Sequence, residues 1–237
     1  MQIKIFNSKE ELYTSAALQI FQDIVANPKM LLGLATGETM IPLYKKLHTL
    51  VKSEDLKSIQ TINLDEYVGI QKTHPQSFYS FMAEYFFNVF NISENNIHFL
   101  NGVNDLNDEI HKMNHFLSEN NIHTQLLGIG SNGHIAFNEP KTSFDIRTHL
   151  VALDTQTRLD NSRFFKSLQD VPTHALTLGI KDIFQSKHII MIAIGQKKAD
   201  AVNQMINGPI TNQLPASVLQ DHPSITVYLD SDAASML

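Results

Sequence analysis

Along this 237-residue chain, short apolar runs alternate with stretches of helical periodicity. Ile3 to Phe6 opens as a short alternating strand. Ser8-Lys9-Glu10-Glu11 has the form of a capping box, and Leu12, Ala16, Ile20 and Ile24 recur at helical spacing to about Asn27. Met30 to Leu34 reads as an apolar strand ending in Ala35-Thr36-Gly37-Glu38-Thr39. Pro42 then sits in the first turn of a helix bearing Leu43, Leu47 and Leu50. Ser58 to Leu64 is a third strand ending at Asp65-Glu66-Tyr67. His74-Pro75-Gln76-Ser77 opens a helix with Phe78, Phe81 and Tyr85, followed by a short strand at Asn96 to Leu100 and a helix at Asp105 to Asn120.

Further strands are expected at Gln125 to Ile129, Ala175 to Leu178, His188 to Ile194 and Ser224 to Leu229. Helices are expected at Ile180 to Phe184, Lys197 to Ile206 and Pro215 to Gln220. Strands alternating with helices predict an α/β fold with a mostly parallel sheet covered on both faces. No repeat, low-complexity run or linker divides the chain, so one domain over 1–237 is expected. Lys141 to Leu150 is poor in apolar residues and reads as a mobile lid or as a plain surface loop.

Composition narrows the classes of function. A net charge of −6 and a pI near 6.0 argue against a nucleic-acid platform, although two or three placed cations suffice for a phosphorylated metabolite. With no cysteine, thiolate catalysis and disulfides are excluded. No stretch has the form of a signal peptide or membrane span, so a cytoplasmic location is expected. Among 11 histidines, His111 and His115 lie four apart on one helix face. They lack the Glu of a His-Glu-x-x-His zinc motif and read as a solvated face.

Three strand ends carry polar clusters. In Gly33-Leu34-Ala35-Thr36-Gly37-Glu38-Thr39, free N–H groups and hydroxyls at a helix start suit a phosphate. The Lys-Ser/Thr of a P-loop is missing, and a tight turn with Thr39 as N-cap is the plain alternative. In Asn63-Leu64-Asp65-Glu66-Tyr67 the two carboxylates point in different directions. A partly desolvated one gains basicity and can take a proton from carbon beside a carbonyl. A magnesium site or a helix-capping Asp are the alternatives. The third cluster runs Gly128-Ile129-Gly130-Ser131-Asn132-Gly133-His134-Ile135-Ala136-Phe137-Asn138-Glu139-Pro140. Its glycines admit close backbone approach, and His134 and Glu139 suggest proton transfer on a small molecule. An ordinary Gly-rich connection with a surface histidine is the alternative. Arg158 and Arg163 follow, and Lys198 stands after Gly195 at a helix start, where cation and helix dipole act on the same anion.

Leu64-Asp65-Glu66-Tyr67-Val68-Gly69, the Gly128–Pro140 loop, Asn161-Ser162-Arg163-Phe164-Phe165 and Gly195-Gln196-Lys197-Lys198-Ala199 together resemble the glucosamine-6-phosphate deaminases (the glucosamine/galactosamine-6-phosphate isomerase family). The match is in order from about Ile3 to Leu229. The resemblance implies a single-domain, Rossmann-like three-layer sandwich with a possible lid at about 141–165. It also implies conversion of glucosamine 6-phosphate and water to fructose 6-phosphate and ammonia, with no cofactor and no metal. By the same resemblance, His134 opens the sugar ring, and Asn132 and Glu139 orient it. Asp65 moves the proton from C2 to C1. Thr36, Gly37, Glu38 and Thr39, with Arg163 and Lys198, bind the substrate's phosphate end.

Two departures matter. Asn132 stands where some members have Asp, so ring opening rests more on Glu139. His149 and Val151 occupy positions that are basic in allosterically activated hexamers, and the chain stops at Leu237. The expectation is therefore a non-allosteric monomer or small homo-oligomer whose partner is an amino-sugar phosphate, with neither nucleic acid nor membrane. Three alternatives remain at this point: a 6-phosphogluconolactonase, a galactosamine-6-phosphate deaminase, and a non-catalytic sugar-phosphate sensor. The lactonases typically follow Asp-Glu with Arg, where this chain has Tyr67. The sensors normally carry an N-terminal helix-turn-helix.

Overall fold

The computed structural model describes residues 1–52 and 56–237. In chain order the first elements are β1 (Gln2–Phe6), α1 (Lys9–Ala26), β2 (Leu31–Leu34), α2 (Met40–Leu50), β3 (Gln60–Asn63) and β4 (Asp65–Tyr67). Then come α3 (Phe78–Met82), α4 (Asn88–Phe90), β5 (Ile97–His98), α5 (Leu106–Glu119), β6 (Thr124–Leu127) and β7 (His149–Ala152). The last are α6 (Thr155–Asn161), β8 (His174–Thr177), α7 (Ile180–Phe184), β9 (His188–Ala193), α8 (Ala199–Asn207) and β10 (Ile225–Asp230). A π-helical turn, Ala83–Phe87, joins α3 to α4, so the predicted aromatic helix runs on as one rod.

Local chemistry starts these elements. Ser8 accepts the Glu11 N–H at the start of α1, Ser77 accepts Ser80 N–H before α3, and Asp105 accepts Asp108 N–H before α5. Leu12, Ala16, Ile20 and Ile24 form the buried stripe of α1, as their spacing predicts.

Among the described residues, seven strands form one parallel sheet in the order β1-β10-β9-β6-β2-β3-β5. Residues of β2, β6 and β10 are buried at every position, the signature of strands covered on both faces. From β2 the chain steps outward through β3 and β5, returns to β6 on the other flank of β2, and steps outward again through β9 and β10. The reversal lies between β2 and β6. Their carboxyl ends, Leu34 and Leu127, therefore border the crevice in which open α/β sheets bind ligands.

The second sheet, β4-β8-β7, is antiparallel and corrects the reading of two segments. Asp65-Glu66-Tyr67 is not a loop after the third strand but a strand itself. Leu64 is the crossing point: its N–H donates to Leu34 O in the large sheet, and its carbonyl accepts Leu178 N–H beside the small one. The segment read as Ala175 to Leu178 is β8, antiparallel to both of its neighbours. Within 141–165, β7 and α6 are regular. The expected strand at 96–100 shrinks to Ile97–His98, and the expected helix at 215–220 is a 3₁₀ turn, Pro215–Asp221. Among the described residues, no helix is long and apolar enough to cross a membrane.

Besides the main core, a small one joins the antiparallel sheet to α3 and the site loops. Tyr67, Phe137, Leu153 and Ala175 are its buried members, with Ile70, Phe78, Val151 and Phe165 packed against them. The Tyr67 ring lies 4.5 Å from Phe78, 6.0 Å from Phe137 and 5.9 Å from Phe165 between centroids, within the range of favourable aromatic pairs.

Candidate active site

The Gly-rich loop leaves β6 at the reversal of the sheet and folds back on itself. Gly130 N–H donates to His134 O, and Gly133 N–H donates to Gly130 O. Gly133 has φ +80°, a conformation that side chains disfavour, and a Cβ there would lie 2.2 Å from the Leu214 side chain. Gly130 is required for a different reason: a Cβ would stand 2.4 Å from the His134 ring. The loop's far end is anchored by buried Asn138, whose amide donates to Ile135 O and Leu178 O.

Glu139 is the hub of this loop. Its Oε2 accepts a 2.7 Å hydrogen bond from Asn132 Nδ2 and lies 3.3 Å from His134 Nδ1. The His134 contact is an ion-pair approach rather than a well-aligned hydrogen bond. Asn132 Oδ1 in turn accepts the His134 N–H, so the amide bridges the imidazole's backbone to the carboxylate. The other oxygen, Oε1, accepts a 2.6 Å bond from the Thr157 hydroxyl. Burial pushes the Glu139 pKa up, but the His134 contact and charge, with the Thr157 and Asn132 bonds, outweigh it and bring the group down to about 2.

The adjacent acids separate cleanly by environment. Glu66 is spent on structure: Oε1 accepts the N–H groups of Tyr67 and Phe78, and Oε2 that of Tyr79. It thus closes the start of α3 from outside the helix. Asp65 is 8% exposed, with a carboxylate pushed up to about 8 by burial first and by the Glu66 charge second. In the β4–β8 pairing, Asp65 stands opposite Thr177. The Thr177 hydroxyl accepts the Phe137 N–H, which brings the Asp65 strand against the loop that carries His134 and Glu139.

At the expected phosphate end, Gly37 takes φ +106° in the turn after β2, and Thr39 makes no side-chain cap to α2. That turn is met from far along the chain. Arg163, in the turn Ser162–Phe164, donates through its Nη2 to Glu38 Oε2 at 2.9 Å, across 125 residues. Both side chains are exposed. Lys198 closes the turn Gln196–Lys198 just before α8, at the carboxyl end of β9, which neighbours β6. Its N–H donates to Gly195 O, and Gly195 has φ +88°.

Residues 7–228 match the model of the family described as "Glucosamine-6-phosphate isomerases/6-phosphogluconolactonase". The chain belongs to this family. A glucosamine-6-phosphate deaminase of Clostridium botulinum (strain Loch Maree / Type A3) is 45% identical, over 100% of this chain and 99% of that protein. One of Clostridium acetobutylicum is also 45% identical, over 100% of both chains. The solved structure of a monomeric glucosamine-6-phosphate deaminase superposes with a TM-score of 0.95 at 40% identity, covering 100% of both chains. A 6-phosphogluconolactonase from Trypanosoma brucei shares the fold, with a TM-score of 0.80 at 17% identity, over 100% of this chain and 98% of that one.

Of the residues expected to work together in a member of this family, Asn132, His134 and Glu139 are in mutual contact, and Glu38 meets Arg163. Thr36, Gly37 and Lys198 sit on the same carboxyl edge of the sheet, at the ends of β2 and β9. Arg158 is structural: its Nη2 donates to Leu168 O and Val171 O, pinning the segment that follows Arg163. Thr157 and Thr177 have no signal in the sequence: a threonine in a polar stretch, or at a strand end, carries no pattern pointing to a carboxylate or an amide. His149 Nδ1 lies against Arg147 O, and Val151 packs on the small core. His111 and His115 are exposed on α5, and His115 lies 3.9 Å from Glu119.

Proposed function

We propose that this protein converts glucosamine 6-phosphate and water to fructose 6-phosphate and ammonia, acting as a monomer. The observation that carries this reading is the Glu139 hub, which holds an imidazole and a carboxylate in ion-pair contact beside the strand of a second, buried carboxylate. The sequence similarity favours deaminase over lactonase: the deaminases match at 40–45% identity over the whole chain, and the lactonase from Trypanosoma brucei at 17%.

The chemistry follows from the environments. With its Nδ1 edge in ion-pair contact with Glu139, His134 keeps Nε2 as the group that moves a proton between the anomeric hydroxyl and the ring oxygen. Asn132 supplies no charge, so the Glu139 carboxylate stabilises the imidazolium. Asp65, once ionised, takes the proton from C2 and returns it at C1 through an enolamine, leaving an iminium at C2; water adds to that carbon to give a carbinolamine, from which ammonia leaves as the C2 ketone forms. Arg163, Lys198 and the Thr36–Thr39 turn hold the phosphate, and that anchored dianion orients the reacting carbons.

The test is ammonia release, measured on glucosamine 6-phosphate, galactosamine 6-phosphate and 6-phosphogluconolactone with wild type and Asp65→Asn. Ammonia from the gluco sugar by wild type, abolished in the variant while sugar-phosphate binding persists, is expected. Acid production from the lactone without ammonia from either sugar overturns the proposal.

A further inference from the structure

We infer that Thr157 is a positioning residue for the ring-opening imidazole, linking the orientation of Glu139 to the helix that leads to the phosphate-binding cation. The inference rests on the deaminase reading and assigns a role within that same site.

Glu139 has two oxygens with separate duties. Oε2 faces His134 and Asn132; Oε1 is held by the Thr157 hydroxyl. The terminal torsion of a glutamate is broad, so a carboxylate held through one oxygen can still rotate. Thr157, buried to 8% exposure, closes that freedom and sets which lone pair of Oε2 meets Nδ1. A short hydroxyl-to-carboxylate bond is among the stronger hydrogen bonds available for this purpose.

Thr157 lies on α6, anchored at its start by Asp154, which accepts the Gln156 N–H at 2.7 Å. The helix runs straight into the turn that carries Arg163, six residues on and about 9 Å along a helical path. The intervening Arg158 binds the carbonyls of Leu168 and Val171, so the cation-bearing segment is clamped to the same helix. Phe165, two residues past Arg163, packs on Tyr67 at the end of the Asp65 strand. A change in the position of Arg163, as it exchanges Glu38 for a phosphate, is thereby passed to the hydroxyl that orients Glu139. The remote phosphate thus helps to align the ring-opening group.

The experiment compares Thr157→Val and Thr157→Ser with wild type, using His134→Gln and Glu139→Gln as reference arms. The readouts are kcat and KM on glucosamine 6-phosphate, and circular dichroism to verify folding. Thr157→Val should lower kcat roughly 10- to 100-fold, the scale of a misplaced catalytic group, with KM within about twofold. Thr157→Ser, which keeps the hydroxyl, should restore kcat. Wild-type kcat in Thr157→Val, or failure of the serine to restore activity, overturns the assignment. If the two reference variants are also fully active, the site reading itself fails; if they are inactive, the error lies with Thr157 alone.

Discussion

Glu66→Gln separates the two adjacent acids by a stability measurement as much as by a kinetic one. Glu66 accepts three backbone N–H groups, from Tyr67 at 2.8 Å and from Phe78 and Tyr79 at 3.0 Å each. Glutamine keeps one oxygen for two of these donors and turns an NH₂ group toward the third. A hydrogen bond to a charged acceptor contributes about 1.5–3 kcal/mol, and an N–H left facing a donor loses that contribution. Burial raises the Glu66 pKa against those same three bonds, so the neutral amide recovers part of the loss. A net loss of about 1–2 kcal/mol follows, which for a domain of this size lowers Tm by about 2–8 °C. The kinetic consequence has a definite sign. As the proposed base, Asp65 acts only when ionised, and burial and then the Glu66 charge hold it near 8, so kcat/KM should rise with pH through that region in wild type. Removing the Glu66 charge should shift that rise to lower pH and leave the plateau kcat within about tenfold of wild type. Thermal unfolding and a kcat/KM–pH profile decide the matter. A loss of kcat beyond about 1,000-fold at an unchanged Tm would make Glu66 the base and refute the division of roles.

Two other expectations can be checked alongside. Gly130→Ala places a methyl carbon 2.4 Å from the His134 ring, so the imidazole must move. A stability cost of about 1–3 kcal/mol by overpacking is expected, with a kcat loss on the order of 100-fold, read from unfolding curves and steady-state assays; wild-type kcat would show that the imidazole position is immaterial. Glu139 is held down at about 2 from an ordinary 4.5, so its ionised form contributes stability that is fully present above the ordinary value and lost as pH falls from there toward 2. The Tm gap between wild type and Glu139→Gln should be open at pH 6 and close progressively toward pH 2. A gap that does not change with pH would show that the carboxylate charge is not what stabilises the loop.

Much of the site was legible because its signals are local. A glycine run after an apolar pair, with His and Glu five apart, reports a strand end and a histidine beside a carboxylate within one short segment, and the structure shows those two side chains in contact. The same holds for Ser8, Ser77 and Asp105, whose caps are decided within three residues. The sheet switch at Leu64 was not legible. Asp65-Glu66-Tyr67 becomes a strand only because β8 lies alongside, 112 positions away at the Asp65–Thr177 pair. Glu66 likewise has no intrinsic mark of a capping acid, since two of the N–H groups it accepts come from residues 12 and 13 positions later.

The sequence by itself determined the alternation of elements, the parallel main sheet and the residue types at each strand end, because hydrophobic periodicity, capping and turn chemistry act over a few residues. Tertiary structure alone decided which acid is free and which is bound into backbone. It also decided that Thr157 meets Glu139 from 18 residues away and that Arg163 meets Glu38 from 125. Those contacts depend on the relative placement of separately formed elements. That placement is set by packing, here largely by the aromatic cluster of Tyr67, Phe78, Phe137 and Phe165, and no short-range pattern encodes it.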